Sequence, residues 1–254
     1  MPSKDYLGIF LLLDEINGLA EEVEFANFLK GLSDTLDPHS SLLFMICGTE
    51  EKRQAIIKNH ESTNRIFNLY NLLPIEKEAF AEYFTREFES CEIEIKTGQS
   101  DYLTGLMALC CEGQPRFAQI IGDNVFSVDE DFIIDESDLK KGLVKSIDDI
   151  GEKFIKPLYE EIKSQNYKVL IKKITEITNK EGTNSFTREE ICKGLDKKEK
   201  QNFDRFIGRM KDLGFIKSKK QGEYKFKDFF TRAYLGLLSR EENYYIKPFE
   251  EKEV

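Results

Sequence analysis

The sequence contains few residues of the kinds that build metal sites or disulfide frameworks. Its 254 residues include five cysteines, none of them in a CxxC pair, and only two histidines, His39 and His60, which lie far from any cysteine cluster. This pattern disfavours a zinc site, and it is typical of a protein that is kept in a reducing compartment. The adjacent Cys110 and Cys111 are interpreted as small core residues.

Long apolar runs, internal repeats and low-complexity tracts are also absent from the sequence. The apolar run at residues 9–13 is too short for a signal peptide or a membrane span, and it has no basic flank. We therefore expect a soluble, cytoplasmic protein that has no membrane partner.

Basic residues are outnumbered by acidic ones, 37 to 47, which gives a formal net charge of -10. Such a charge argues against a protein that coats nucleic acid along its whole surface. The chain is 40% hydrophobic, and its length is sufficient for two or three small domains with cores of their own.

Apolar runs alternate with helical patterns in the first part of the chain. The pattern predicts three buried strands, two helices and one polar turn, in the order strand 9–13, helix 18–36, turn 37–41, strand 42–48, helix 50–60 and strand 65–72. This alternation is typical of a parallel α/β sheet covered by helices.

Beyond Pro74 the pattern is helical until the last part of the chain. Three amphipathic helices and an acidic, helical connector precede three further helices, predicted at 167–178, 186–195 and 197–214. Residues 215–228 then alternate as two strands around Gln221-Gly222, which predicts a hairpin. Three helices followed by a hairpin are the order of a winged helix-turn-helix.

The ordered stretches LLLDE, LLFMICGT, NRIFNLYNLLPIEKEAF and EGQPRFAQIIG resemble the second half of an AAA+ ATPase. More narrowly, they are similar to archaeal ATPases of the STAND group and to the archaeal origin-binding initiators. The resemblance covers nearly the whole chain. It implies a partial P-loop ATPase core of α/β type at 1–74, an all-α lid at 75–130, a helical connector at 131–165 and a winged helix domain at 166–240.

Asp14 and Glu15 match the Walker B pair of that family. The resemblance implies that Asp14 supports the Mg²⁺ ion on the nucleotide phosphates and that Glu15 orients the attacking water. Thr49 matches the sensor 1 position. An alternative is structural: acids favour a helix N-terminus, and a threonine at this position suits an N-cap.

Two arginines complete the catalytic set that the resemblance implies. Arg65 matches the position of an arginine finger, which neutralises transition-state charge, and Arg116 lies in the sensor 2 region Gly113-Gln114-Pro115-Arg116. The alternatives are a solvated or structural role for Arg65 and, for the second motif, a proline that simply begins a helix.

The P-loop motif GxxxxGK[ST] is missing from the sequence. That loop supplies the backbone N–H groups and the lysine that hold the phosphates, and in the family it precedes the Walker B strand. We expect a fragment, split gene or remnant of an ATP hydrolase, inactive alone, with ATP and Mg²⁺ bound tightly only in a complete protein. We also expect an exposed apolar edge or face and, through it, self-association or binding of a missing N-terminal ATPase segment.

The last part of the chain is locally basic, since residues 187–228 contain thirteen Lys or Arg and eight Asp or Glu. This charge predicts contact with double-stranded DNA through a helix and a hairpin. Lysine-rich edge strands also protect against aggregation, so the alternative is a non-catalytic winged-helix adaptor that binds DNA or protein. The predicted DNA-binding residues are Lys200, Arg205, Arg209, Lys217, Lys219, Lys220 and Lys225.

Overall fold

A computed structural model describes residues 8–35, 42–193 and 195–239, so the turn predicted at 37–41 lies outside the described residues. The chain divides between Leu72 and Leu73 into two compact units. Within the described ranges, no helix is both long enough and apolar enough to cross a membrane.

The first unit contains two parallel strands connected through a helix. Strand β1 (Ile9–Leu13) pairs with β2 (Leu42–Ile46) in the register Leu13↔Ile46. Parallel neighbours need a crossover connection, and helix α1 lies in it. The other elements of the unit are a 3₁₀ turn at Ile16–Gly18, helix α1 at Val23–Thr35, helix α2 at Glu50–Asn59 and helix α3 at Thr63–Ile66.

One face of this strand pair is partly covered by side chains, and the other is open. Side chains of Leu13, Phe44 and Ile46 pack against a small core from the 3₁₀ turn and helices α1 and α2. The opposite face is exposed, and the prediction of a fully buried first strand is therefore wrong. A parallel sheet normally has helices on both faces, and the described residues leave this one open at Phe10, Leu12, Leu43 and Met45.

The third strand predicted at 65–72 does not form. Thr63 begins the short helix α3, its hydroxyl donates to the carbonyl of His60 over 2.6 Å, and the Arg65 amide donates to the Ser62 carbonyl. These local bonds close a helical turn where the sequence pattern indicated an extended chain. The apolar residues that follow pair with no strand, and Leu69 and Leu72 are exposed.

The second unit begins with a helical segment, here defined as Lys77–Ile150. Two short strands pair in parallel within it, β3 (Glu94–Ile95) and β4 (Ile133–Ile134). Its helices are α4 (Lys77–Ser90), α5 (Ser100–Cys111), α6 (Pro115–Val128) and α7 (Glu136–Ile150), followed by a π-helical turn at Gly151–Ile155 and by α8 at Lys156–Glu160.

The C-terminal segment, here defined as Gln165–Leu238, contains a three-stranded antiparallel sheet in the order β5-β7-β6. A hairpin joins β6 to β7 at Gln221-Gly222, where the sequence predicts it, and Gly222 has the positive φ of 78° that such a turn requires. Strand β5 and the last helix were not predicted. The elements are α9 (Gln165–Glu181), β5 (Ser185–Thr187), α10 (Arg188–Cys192), α11 (Lys197–Asp212), β6 (Ile216–Lys220), β7 (Glu223–Phe226) and α12 (Phe229–Leu238).

A single hydrophobic core connects the helical segment to the C-terminal segment. The rings of Phe117 on α6 and Phe230 on α12 have centroids 4.7 Å apart. Arg232, 1% exposed, donates from Nη1 to the carbonyls of Thr178 and Thr183 at the end of α9. Helix α12 therefore packs against α6 and against the end of α9, and it belongs to the core of the whole unit.

Helix α12 passes very close to the backbone of Gly151. A methyl group at this position would overlap the ring of Tyr234, whose hydroxyl donates to Glu152 over 2.7 Å. Because the ring is buried and held by that bond, it has little room to move away. We expect Gly151→Ala to lower the free energy of unfolding by about 1–3 kcal/mol, the usual range for an overpacked core, as measured by urea unfolding.

Gly208 provides a matched control, because it also lies in a helix but has no atom within 4 Å of an added methyl group. Gly208→Ala should be neutral or stabilising by about 0.5–1 kcal/mol, the propensity difference between the two residues. An equal loss of stability in both variants would contradict the packing assigned to Gly151.

Candidate functional site

Asp14 and Glu15 follow β1 directly, where the strand ends meet. Beyond the last strand pair, the Cys47 amide donates to the Leu13 carbonyl over 2.8 Å and the Ile16 amide donates to the Cys47 carbonyl over 3.4 Å. Both carboxylates are exposed at this edge. In open parallel sheets, ligands bind outside the carboxyl ends of the strands, so the two acids lie where such a ligand would be.

Glu15 has a left-handed backbone conformation, with φ of 50°, and its amide donates to Asp14 Oδ1 over 2.9 Å. A side chain in this region costs about 1 kcal/mol, and such strain is often found at functional sites. The turn directs the chain from the strand into the 3₁₀ turn, and Asp14 already accepts one hydrogen bond from the backbone there.

Thr49 lies at the same edge and caps helix α2. Its hydroxyl oxygen accepts from the Lys52 amide over 3.4 Å and its hydroxyl lies 3.3 Å from Glu51 Oε2. Gly48, just before it, packs against the side chain of Ile16. The structure thus places Thr49 three residues after the end of β2 and gives it the structural role of an N-cap, while its role as a sensor stays a prediction.

Arg65 lies on helix α3 and is exposed. The neighbouring Arg53 donates to both carboxylate oxygens of Glu50 and to Asn64, and this set anchors α3 to α2. Within the part of the chain that the structure describes, no hydrogen bond or ion pair holds the Arg65 guanidinium. It is available for an anion, although its role as an arginine finger is untested.

Arg116 belongs to the second unit, in the first turn of α6. Its guanidinium lies 4.0 Å from the centroid of the Phe154 ring, a cation–π contact. The preceding Gly113 has φ of 78°, and a side chain there would overlap Pro74. The Gly-Gln-Pro-Arg motif is therefore explained by packing and helix initiation, and a phosphate contact by Arg116 stays a prediction.

The residues at the strand ends do not form a metal site by themselves. Among the described residues, no three His, Cys, Asp or Glu side chains cluster so as to hold a metal ion. Mg²⁺ in nucleotide sites is commonly held by one or two carboxylates together with the substrate phosphates. Asp14 fits that supporting role, and it does not by itself make a metal site.

The predicted DNA-binding residues of the C-terminal segment differ in their exposure and in their ion pairs. Phe203, Phe206, Ile207 and Met210 of α11 are buried, as the sequence indicates, while Lys200 and Arg205 are exposed. Arg209 forms an ion pair of 2.8 Å with Glu161. Arg209 is therefore less available to an anionic partner than the exposed Lys200 and Arg205.

The predicted hairpin lysines lie near carboxylates. Lys219 and Lys220 lie 3.8 and 3.9 Å from the Glu223 carboxylate, and Lys225 lies 3.8 Å from Glu112, whereas Lys217 is exposed. Exposed ion pairs of this length contribute little. Lys219 and Lys220 therefore remain able to contact a phosphate, whereas Lys225 faces a partly buried acid.

Glu112 was not singled out by the sequence. It ends helix α5 with a left-handed φ of 45° and accepts hydrogen bonds from Asn184 and from the Phe229 amide. These partners lie 72 and 117 residues further along the chain, so no local pattern indicates that this carboxyl group is buried. Its position between the two segments of the second unit emerges only from the fold.

No protein-family profile matches the sequence, and no curated protein matches it significantly. Among solved structures, the Walker-type ATPase of Pyrococcus abyssi matches with a TM-score of 0.51 and 15% identity over 90% of this chain. The RuvB Holliday junction branch migration motor of Thermotoga maritima matches with a TM-score of 0.43 and 16% identity, over 92% of this chain and 70% of that one.

The likeness to the Pyrococcus protein shows a Walker-type, P-loop ATPase-like fold. The expectation of an ATPase-like fold is therefore confirmed for the fold alone. The chain spans 63% of the length of the Pyrococcus protein. The narrower resemblance to STAND ATPases and origin-binding initiators stays a prediction.

Proposed function

We propose that this chain is the C-terminal part of an AAA+/STAND-type ATPase and contributes the Walker B and sensor residues to an ATP site. The main observation in support is the parallel pair β1–β2, with Asp14 directly after β1 and Thr49 three residues after the end of β2. In this proposal Asp14 would support the Mg²⁺ ion on the nucleotide phosphates, and Glu15 would orient the attacking water. A further polypeptide segment supplies the P-loop.

We further propose that the C-terminal segment is a winged helix that binds double-stranded DNA. The order helix α9, strand β5, helices α10 and α11, then the β6–β7 hairpin supports this. In that arrangement α11 approaches a groove and the hairpin contacts the phosphate backbone. The basic balance of residues 187–228 favours an anionic partner, and DNA is one.

A second candidate is a non-catalytic adaptor that binds DNA or protein through the same winged helix. The observation that favours it is the missing GxxxxGK[ST] motif, since a chain without a phosphate cradle has little means of holding ATP. The ion pair between Arg209 and Glu161 also lowers the charge that α11 offers to DNA. Nucleotide binding by a version extended with a P-loop segment separates the two candidates, because only the first expects it.

We expect this chain alone neither to bind ATP tightly nor to hydrolyse it. Asp14 and Glu15 have few phosphate contacts to complement without a P-loop. Isothermal titration calorimetry with Mg²⁺-ATP should show no micromolar affinity, and a version extended by a P-loop segment should bind. If this chain alone bound ATP with micromolar affinity, and Asp14→Ala abolished that binding, the proposal that another segment supplies the P-loop would be contradicted.

The open face of the β1–β2 pair should bind either a second copy or the segment that carries the P-loop. Phe10, Leu12, Leu43 and Met45 are 46–65% exposed there, and the transfer of so much apolar surface out of water is favourable. Light scattering should show an average mass that rises with concentration, and an apolar dye should bind.

Leu43→Lys should weaken both the self-association and the dye binding, because it places a charge in the middle of the open face of the β1–β2 pair. Leu69→Lys is the matched control, since Leu69 is also exposed but lies outside the strand pair. A clean monomer over a wide concentration range, with no dye binding, would exclude this role for the face.

DNA binding, if the C-terminal segment provides it, should depend steeply on salt. Each phosphate contact contributes about 0.9 to the slope of log affinity against log salt concentration. Replacing Lys219 and Lys220 by alanine should therefore reduce that slope by about 1.8 and leave the fold intact, because both lysines lie beside an exposed turn. Fluorescence anisotropy with a duplex at several salt concentrations measures it.

The matched control replaces Lys140 and Lys141 on helix α7, which removes the same charge and also breaks two surface ion pairs. Its slope should equal that of the unchanged protein. No binding at low salt, or equal slopes in all three proteins, would favour the protein-binding adaptor.

A further inference from the structure

Strand β1 is apolar along its whole length and is exposed on both faces. Phe10 and Leu12 lie on the open face of the strand pair, and on the opposite face Ile9 and Leu11 are still 68% and 42% exposed. The residues of β2 on that second face are half-buried. Helices α1 and α2 therefore cover β2 better than they cover β1.

One edge of β1 also carries backbone groups that no neighbouring strand receives. The Leu13 carbonyl accepts from the Cys47 amide of the chain that follows β2, so the backbone groups of Leu13 point towards β2. Successive residues of a strand point these groups to opposite sides, and those of Phe10 and Leu12 therefore point away from β2. Among the described residues, the sheet has only the strands β1 and β2, which leaves that edge free.

Another edge in this protein is protected by charge, whereas this one is bare. Strand β6 lies at the edge of the antiparallel sheet β5-β7-β6 and carries Lys217, Lys219 and Lys220. Lysines on an edge strand discourage pairing with another chain. Strand β1 has the sequence IFLLL, which contains no charge, proline or glycine. An edge of this kind is a template for a further strand.

We propose that the free edge of β1 pairs with β1 of a second copy of this chain. A two-fold axis that passes Leu11 makes the two strands antiparallel and places Phe10 opposite Leu12 of the second copy. Because the backbone groups of both residues point to the free edge, each such pair exchanges its two N–H···O bonds. The two strand pairs become one four-stranded sheet.

The side chains of β1 favour this partner and this register. Ile9 lies opposite Leu13 of the second copy, so every apolar residue of the strand meets another apolar residue. Asp14 lies opposite Gly8, which keeps the carboxylates of the two copies apart. A shift by two residues would instead place Asp14 opposite Phe10. The strand is thus complementary to itself, as an interface with two-fold symmetry requires.

Pairing at this edge leaves the open face of the β1–β2 pair uncovered, since the added strand lies beside β1 and not on top of it. The segment proposed to carry the P-loop could bind that face in the same assembly. The inference therefore does not depend on nucleotide binding, and either one can fail without the other.

Hydrogen exchange measured by NMR tests the pairing in the unchanged protein. In dilute solution the Leu11 and Leu13 amides should exchange slowly, because they bond to β2, and the Phe10 and Leu12 amides should exchange fast. At concentrations where light scattering shows a dimer, the Phe10 and Leu12 amides should become protected. Their exchange should be about tenfold slower once about nine in ten copies are paired.

Leu12→Pro removes an N–H group that points away from β2, so it should block the pairing and leave the β1–β2 ladder intact. Each dimer loses two hydrogen bonds by symmetry, and the dissociation constant should rise about tenfold or more. Slow exchange at Leu11 and Leu13 in the variant confirms that the ladder persists. Leu12→Ala is the matched control, because it shortens the side chain but keeps the N–H group, and its Phe10 amide should still become protected.

Three results would each overturn the proposal. They are a monomer at every concentration, a dimer in which the Phe10 and Leu12 amides still exchange fast, and equal dissociation constants for Leu12→Pro and Leu12→Ala. The second result would assign the association to the open face of the strand pair.

Discussion

The hydrophobic core shared by the helical and C-terminal segments is the constraint on which the rest of the second unit depends. Helix α12 lies at its centre, with Phe230 against Phe117 and the hydroxyl of Tyr234 on Glu152. Arg232 is buried in the same core, and such a charge is tolerated only where carbonyl groups receive it. The end of α9 provides those carbonyls.

The helices of this unit are the part of the fold that the sequence predicts best. Amphipathic spacing indicates which side of a helix is buried, and α11 buries Phe203, Phe206, Ile207 and Met210 as expected. Short strands give a weaker signal, since β5 has only three residues and is held by pairing with β7. The predicted third strand of the first unit failed because its first residues belong to the helical turn Thr63–Ile66, and a run of apolar residues does not reveal such a turn.

The sequence predicts those residues of the candidate site that come soon after an apolar run. Apolar runs that end in polar residues indicated Asp14, Glu15 and Thr49, and the register of β1 with β2 places the strand ends side by side. The apolar strand pattern predicts burial, whereas the missing P-loop segment predicts an exposed apolar edge or face. Which face is open could not be predicted, because it depends on the layer that covers a sheet and not on the strand itself. Glu112 could not be found from sequence, since its partners are distant in the chain.

The close approach of Tyr234 to Gly151 has a consequence for how this protein could have evolved. A C-terminal segment that folds by itself can be exchanged between proteins as an independent domain. Here the last helix completes a core to which α6 and the π-helical turn also contribute, so a recombination break between the two segments would separate surfaces that need one another. Inheritance of the segments as one block is therefore favoured, and sequence changes on either side of the junction should be accepted mainly in compensating pairs.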